Sequence, residues 1–265
     1  MPKHGFQLCN EWGEKKHPAN AIAEIKCDGM MVLVENGRMY NRRNWDATFQ
    51  FPEVKVHSNL VLVGEIVILK EGISQFHFLQ KRNVDSPKDI RLRSMLYPAT
   101  LVAFDLLELN GQDLVDEPLS VRRKALENLE HTKALNGSVH VADFWGCPKE
   151  KVPEYLDLVR SMNGEGIIVK DLDAPYKASR NDAWLKLKAW KEDDYDVLRH
   201  EITENGGFVV YIVNRGYEQK VVVNDRSLAD EIAKGNVKRL RIRYLDVEAS
   251  GALRQPHVRG VPRDH

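Results

Sequence analysis

Lys26-Cys27-Asp28-Gly29 ends a strand-like apolar run with a lysine and a tight acidic turn. A lysine so placed can act as a nucleophile if its amine is neutral, so its pKa must fall from ~10.4 by desolvation or nearby cations. The glycine would let a phosphate approach the backbone closely. Alone, the tetrapeptide reads equally well as a hairpin turn with a solvated lysine. Gly64-Glu65 lies inside the apolar run Leu60 to Leu69, and Glu165 heads Gly166-Ile167-Ile168-Val169-Lys170. A carboxylate at a buried strand is costly unless it meets a metal or a hydrogen-bond donor. Two such glutamates on neighbouring strands would suit a hard divalent ion, Mg²⁺ or Mn²⁺. Two edge carboxylates bonded to backbone are the plainer alternative. In Trp184-Leu185-Lys186-Leu187-Lys188, strand alternation puts Lys186 and Lys188 on one face. Paired cations suit a polyphosphate and would lower the pKa of a neighbouring lysine amine, which is what Lys26 requires. Phe104, in Phe104-Asp105-Leu106-Leu107, could stack on a purine or simply fill core. Asn41-Arg42-Arg43-Asn44 follows a hairpin signal and offers exposed arginines.

The elements that must hold these groups are legible in outline. Ala21 to Val34 reads as a strand broken at Asp28-Gly29, and Asn36-Gly37 marks a hairpin. Leu60 to Leu69 and Leu101 to Leu109 read as buried strands. Ser120 is placed to cap a helix to about His131, with Val121, Ala125, Leu126 and Leu129 on its apolar face. Glu150 to Met162 reads as a second amphipathic helix, and Gly166 to Val169 and Trp184 to Leu187 as short strands. After Lys191-Glu192-Asp193-Asp194, short strands and a helix over about Ser227 to Lys234 have the density of a small barrel, which puts the boundary near Lys188 to Asp194. The expected domains are 1–190 and 191–265. Within the second, Arg239, Arg241 and Arg243 alternate with Leu240, Ile242 and Tyr244. They form either a solvated exterior or a stripe that tracks phosphates.

Composition narrows the classes. The 265 residues suffice for a sizeable core without staples. No apolar run approaches the ~18 residues of a membrane span, and the first residues lack the apolar stretch of a secretory signal. Cys9, Cys27 and Cys147 form no pair with metal-site spacing, so reduced thiols in a cytosolic compartment are expected. Lys plus Arg equals Asp plus Glu at 39 each, yet residues 192–204 hold six acids and one Arg, and residues 205–265 carry an excess of four basic groups. A neutral total can therefore conceal a basic face.

In order and spacing these six constellations resemble the nucleotidyltransferase superfamily of ATP-dependent DNA ligases, RNA ligases and mRNA capping enzymes. The resemblance covers nearly the whole chain after residue 20 and looks closest to minimal DNA ligases around Gly72 to Arg82, Phe104 to Leu107 and Tyr176 to Lys188. It implies an α+β nucleotidyltransferase (adenylation) domain of antiparallel sheets with helices, followed by a small all-β OB-fold domain. It implies that Lys26 is the adenylated nucleophile, with Glu24 in the adenine pocket and Asp28 near the metal. Arg42 and Glu65 would hold the ribose, Glu65 also assisting the metal. Phe104 would stack on adenine and Glu165 would bind the metal. Arg180 would orient the nucleotide or the nick phosphate, and Lys186 and Lys188 would grip the α-phosphate. The implied cofactors are ATP and Mg²⁺ or Mn²⁺. Only 25 residues precede Lys26, too few for the extra domain of the NAD-using relatives. The implied partner is nicked duplex DNA, with RNA-containing nicks as an alternative, for a monomer without a membrane, in the cytoplasm or a host-cell interior. Three departures stand out. Met31 replaces the usual arginine, Asn41 to Asn44 replaces Ser/Thr-Arg-x-Gly, and the last motif survives only loosely in Val261 to His265. Strand joining on RNA, GTP-dependent capping and a non-catalytic nucleic-acid-binding module are the competing readings. A covalent nucleotide adduct separates the first two from the last.

Overall fold

A computed structural model describes residues 2–262 apart from 133, 134 and 136. Arg263, Asp264 and His265 of the loose last motif lie outside the described residues. The chain forms two compact units, Met1–Lys188 and Ala189–His265.

Two sheets organise the first unit. One runs Leu8–Glu11, Arg180–Lys188, Gly166–Asp171, Ala21–Ile25, Phe144–Gly146. All its pairings are antiparallel except that of Leu8–Glu11. Register sets Glu24, Ile168 and Lys186 abreast, and Ile22, Lys170 and Trp184 abreast two residues along. Alternation puts all six on one face. The other face carries Ala23, Ile167, Val169 and Leu185, packed with Val152 and Val159 of the helix Val152–Ser161. Burying each of these valine, isoleucine and leucine side chains contributes about 1.5–3 kcal/mol.

The second sheet runs Val139–Val141, Thr100–Leu109, Leu60–Val67, Met30–Glu35, Arg38–Asn41, and Gln112–Asp113 folds back onto Thr100–Leu109. One face packs Val32, Val34, Leu62, Ile66 and Leu101 with Leu126 of the helix Leu119–His131. From the other face Leu33, Val63 and Leu107 join Trp184 and Tyr176, with Met31, Phe104 and Ile168 packed alongside. The polar face of the first sheet therefore looks onto the second.

Local departures from expectation have local causes. The helix expected from Ser120 begins at Leu119, with Pro118 before it and no side-chain cap. Leu119 is fully buried and fixes the first turn. On that helix Val121 is exposed while Arg122 and Arg123 are buried, the reverse of its hydropathy. The second helix is a 3-10 turn, Lys149–Lys151, leading into Val152–Ser161 with a proline in its first turn.

The second unit has one sheet of Lys191–Asp196, Arg239–Tyr244 and His257–Gly260, and another of Arg199–Ile202, Phe208–Asn214 and Tyr217–Val223. They share a core of Val210, Ile212, Val221, Val223, Leu240 and Ile242 with Ala229 and Ile232 of the helix Arg226–Ala233, whose cap Asp225 accepts from Leu228 N at 3.1 Å. The acidic run forms a strand. Its Glu192, Asp194 and Asp196 lie opposite Arg243, Arg241 and Arg239, and opposite charges facing each other across strands stabilise the pairing.

Candidate active site

Lys26 follows directly on the strand Ala21–Ile25, and its backbone N donates to Gly166 O at 2.8 Å. That bond brings the start of the Gly166–Asp171 strand beside the lysine. Gly166 has φ +150°, and a Cβ there would collide with Leu187 O. Only glycine permits this approach, which fixes Glu165 next to Lys26. Lys26 Nζ donates to Glu165 Oε2 at 2.6 Å. A Cβ on Gly29 would collide with Ile66 O, so its hydrogen is needed to seat the turn against the neighbouring strand. The Asp28 backbone N donates to Ser74 Oγ at 2.8 Å, which anchors the same turn.

The electrostatics correct the sequence-based expectation for Lys26. Burial pulls its pKa down, but the charge and hydrogen bond of Glu165, reinforced by Glu65 and Asp28, outweigh burial and hold the ammonium above its ordinary 10.5. The paired lysines do not set the direction, because a contacting carboxylate acts at shorter range than they do. Lys188 is itself pushed down by burial and by Lys26 and Lys186, against the pull of Glu165. Lys186 Nζ lies 3.1 Å from Glu11 Oε1. Glu65, half-buried opposite Met31, is pushed up to about 8, first by burial, with Glu165 and Asp28 adding to it and Lys26 and Arg42 opposing. Arg42 is exposed and acts on Glu65 through its field. Arg180 is exposed too, and its guanidinium donates to the Cys9 carbonyl.

Glu24 belongs to a buried network that the sequence reading missed. One carboxylate oxygen lies 2.6 Å from Lys170 Nζ, and the other pairs with Arg123, which also donates to the Ala142 carbonyl. Lys170 Nζ sits 4.4 Å from the Phe104 ring centroid and 4.6 Å from that of Trp184. Phe104 makes a T-shaped contact with Trp184 and is only half-buried. Below it, Asp105 receives both Nε and Nη2 of Arg122, at 2.7 and 2.8 Å, with both residues fully buried. Lys170 was visible as the end of its motif, but nothing in the sequence marks Arg122 and Arg123, which sit on a helix whose hydropathy points elsewhere. All three cysteines are free, and burial pushes Cys27 up to about 12 and Cys147 up to about 11, so neither supplies a thiolate.

In the second unit the three arginines already hold partners. Arg241 binds Asp194 through Nε and Nη2 at 2.8 and 3.0 Å, Arg239 Nε lies 3.0 Å from Asp196, and Arg243 lies over the Trp190 ring. The stripe is thus largely neutralised by the acidic strand beside it.

Comparison with known proteins matches residues 7–188 to the family described as ATP dependent DNA ligase domain. A probable DNA ligase of Streptomyces coelicolor is 34% identical over 196 residues, 68% of this chain and 37% of that protein. A DNA ligase of Sulfolobus acidocaldarius is 32% identical over 183 residues, 63% of this chain and 30% of that protein. The chain thus spans about a third of the length of these curated relatives. Among solved structures, a Lig E DNA ligase studied for DNA binding with a minimal scaffold superposes with a TM-score of 0.75 at 18% identity, covering 98% of this chain and 99% of that one. A mycobacterial DNA ligase D complexed with ATP and MES gives 0.58 at 22% identity, covering 98% and 95%. The chain shares the fold of these structures, an α+β domain of antiparallel sheets with helices followed by a small all-β OB-fold domain.

Proposed function

Because the chain belongs to the ATP-dependent DNA ligase family, we propose that it seals 5′-phosphate/3′-hydroxyl nicks in duplex DNA, with Lys26 carrying the nucleotide. The observation that carries this reading is the half-buried Lys26 amine, 2.6 Å from Glu165, with Glu65, Lys186 and Lys188 near enough to act on the same group of charges. In the proposed reaction the Lys26 ammonium first gives one proton to solvent; the neutral Nζ then forms a bond to the α-phosphorus of ATP as the bond to pyrophosphate breaks, and the nitrogen releases its second proton to solvent. An oxygen of the 5′-phosphate then displaces Lys26, and the 3′-hydroxyl oxygen displaces AMP and closes the strand. Lys186 and Lys188 stand as cations for the α-phosphate oxygens. Phe104 is assigned to the adenine, and Glu24, which Lys170 and Arg123 hold in place, to the same base. Arg42 and Glu65 are assigned to the ribose, Asp28 to the metal side and Arg180 to the phosphate of the nucleotide or nick.

A divalent ion, Mg²⁺ or Mn²⁺, fits the residues present. Glu65 and Glu165 are hard oxygen donors, and crowding with Glu165 and Asp28 already raises the Glu65 carboxyl. These two would hold the ion, which when bound supplies positive charge to the phosphoryl oxygens. Arg239, Arg241 and Arg243 are assigned to the DNA backbone, each exchanging its present partner for a phosphate. We place the protein in the cytoplasm, or in a host-cell interior, as a monomer. Among the described residues no helix is long and apolar enough to cross a membrane.

The test is direct. Purified protein with labelled ATP and Mg²⁺ forms a covalent AMP adduct that Lys26→Ala abolishes. Absence of an adduct in the unsubstituted protein overturns the reading. Met31, where the family usually has arginine, favours RNA-containing nicks as the second reading. Equal or better sealing of RNA ends than of DNA ends decides for it.

A further inference from the structure

Away from Lys26 and Glu165, one end of the second sheet gathers three carboxylates and a lysine around one histidine. Glu108 and Asp113 lie directly opposite each other in the antiparallel pair that Gln112–Asp113 makes with Thr100–Leu109. Like charges at such positions repel at close range. Glu35, the last residue of the strand Met30–Glu35, is buried beside them. His4 lies among the three with its side chain only 7% exposed. Its Nδ1 is 3.6 Å from Glu35 Oε1 and its Nε2 is 3.7 Å from Asp113 Oδ2. Neither ring nitrogen has a hydrogen-bond partner among the described residues. A buried imidazole with both nitrogens unbonded, facing carboxylates just beyond hydrogen-bond reach, is expensive as it stands.

A metal ion accounts for this arrangement better than direct bonding does. One ligand atom each of His4, Glu108 and Asp113 can be drawn so that all three lie within 4.8 Å of one another. Donors around one tetrahedral dication stand roughly 3–4 Å apart, so a small inward turn of these side chains would bring all three onto one ion, and one nitrogen with two carboxylates suits a first-row transition dication rather than Mg²⁺. Glu35 completes the picture on the far side of the ring. It faces Nδ1, so it can accept a hydrogen bond from Nδ1–H and leave the Nε2 lone pair for the metal, the usual support of a metal-bound histidine. Its other oxygen already accepts from the Lys3 backbone N at 2.7 Å. We propose that His4, Glu108 and Asp113 form a binding site for a divalent transition metal such as Zn²⁺, oriented by Glu35, which ties the chain around Lys3 and His4 to that end of the sheet. This site is separate from the Glu65 and Glu165 carboxylates. Lys3 is its natural competitor: the ammonium lies 2.9 Å from Asp113 and 3.6 Å from Glu108, on a side chain that is 60% exposed and free to swing away.

Zn²⁺ is titrated calorimetrically into the full chain in excess Mg²⁺, which saturates oxygen-only sites, and Co²⁺ is added in parallel as a spectroscopic probe. The expected result is one equivalent of Zn²⁺ and a visible Co²⁺ absorption band. His4→Ala abolishes both. Asp113→Asn, at an exposed position that leaves folding intact, weakens binding at least tenfold, and Glu35→Gln does so by roughly 10–100-fold. Lys3→Ala tightens binding, an outcome that a simple ion-pair cluster does not give. No stoichiometric Zn²⁺ binding, or affinity unchanged by both His4→Ala and Asp113→Asn, overturns the proposal.

Discussion

Replacing Glu165 with Gln tests the electrostatic account of Lys26 without nucleotide or metal. The ammonium and carboxylate are 2.6 Å apart. At an effective dielectric of ~20 two unit charges at that distance attract by about 6 kcal/mol. Desolvation opposes this, yet the sum still leaves Lys26 above its ordinary 10.5. Glu165→Gln removes the attraction and keeps the burial, so the pKa falls. Even a quarter of the attraction, about 1.5 kcal/mol, raises the neutral fraction of the amine roughly tenfold at any pH well below the pKa. Only the neutral amine reacts with an acylating reagent. Limited acetylation at pH 8 in the presence of a chelator, followed by peptide mapping, therefore reads the shift directly. Lys16, paired on the surface with Asp182, serves as the reference in the same sample. Acetylation of Lys26 relative to Lys16 is expected to rise tenfold or more in the variant. An unchanged or lower ratio would mean that Glu165 does not set the charge state of Lys26, and the reasoning about this pair would fail.

Two further outcomes are expected from groups of the first unit. Asp105→Asn strands the buried Arg122 guanidinium and is expected to cost about 3–5 kcal/mol, lowering the melting temperature by roughly 6–20 °C; adding Arg122→Met is expected to restore much of the loss, and a shift under ~2 °C for the single change would contradict the pairing. Glu65 takes up a proton more readily in the folded chain, at about 8 against an ordinary 4.5, so its contribution to stability is lost as pH rises from 4.5 to 8. Glu65→Gln should flatten the pH dependence of denaturant stability across that window, and an unaltered slope would show that this carboxyl is not the group responsible.

How much of this was legible in the sequence depended on how far each residue's partners lie from it. Lys186 and Lys188 share a face because alternation is a property of their own strand, and Glu65 was marked by the apolar run around it. The Arg239–Arg243 alternation was equally plain. Its neutralisation was not, because the acidic run that faces it looks like a solvated linker until register sets Asp194 opposite Arg241. Arg123 reaches Glu24 across 99 residues, and its helix shows only the burial that hydropathy would assign to Val121. The sign of the Lys26 shift belongs to the same class of problem. Motif order brought both carboxylates and cations to one site, but attraction varies inversely with distance. The sign therefore follows from which group touches the amine. Gly166, by letting two strands approach where any side chain would block them, makes that group Glu165. A larger residue at Gly166 should thus disturb the charge state of Lys26 as well as the sheet, although it would leave every charged residue of the site in place.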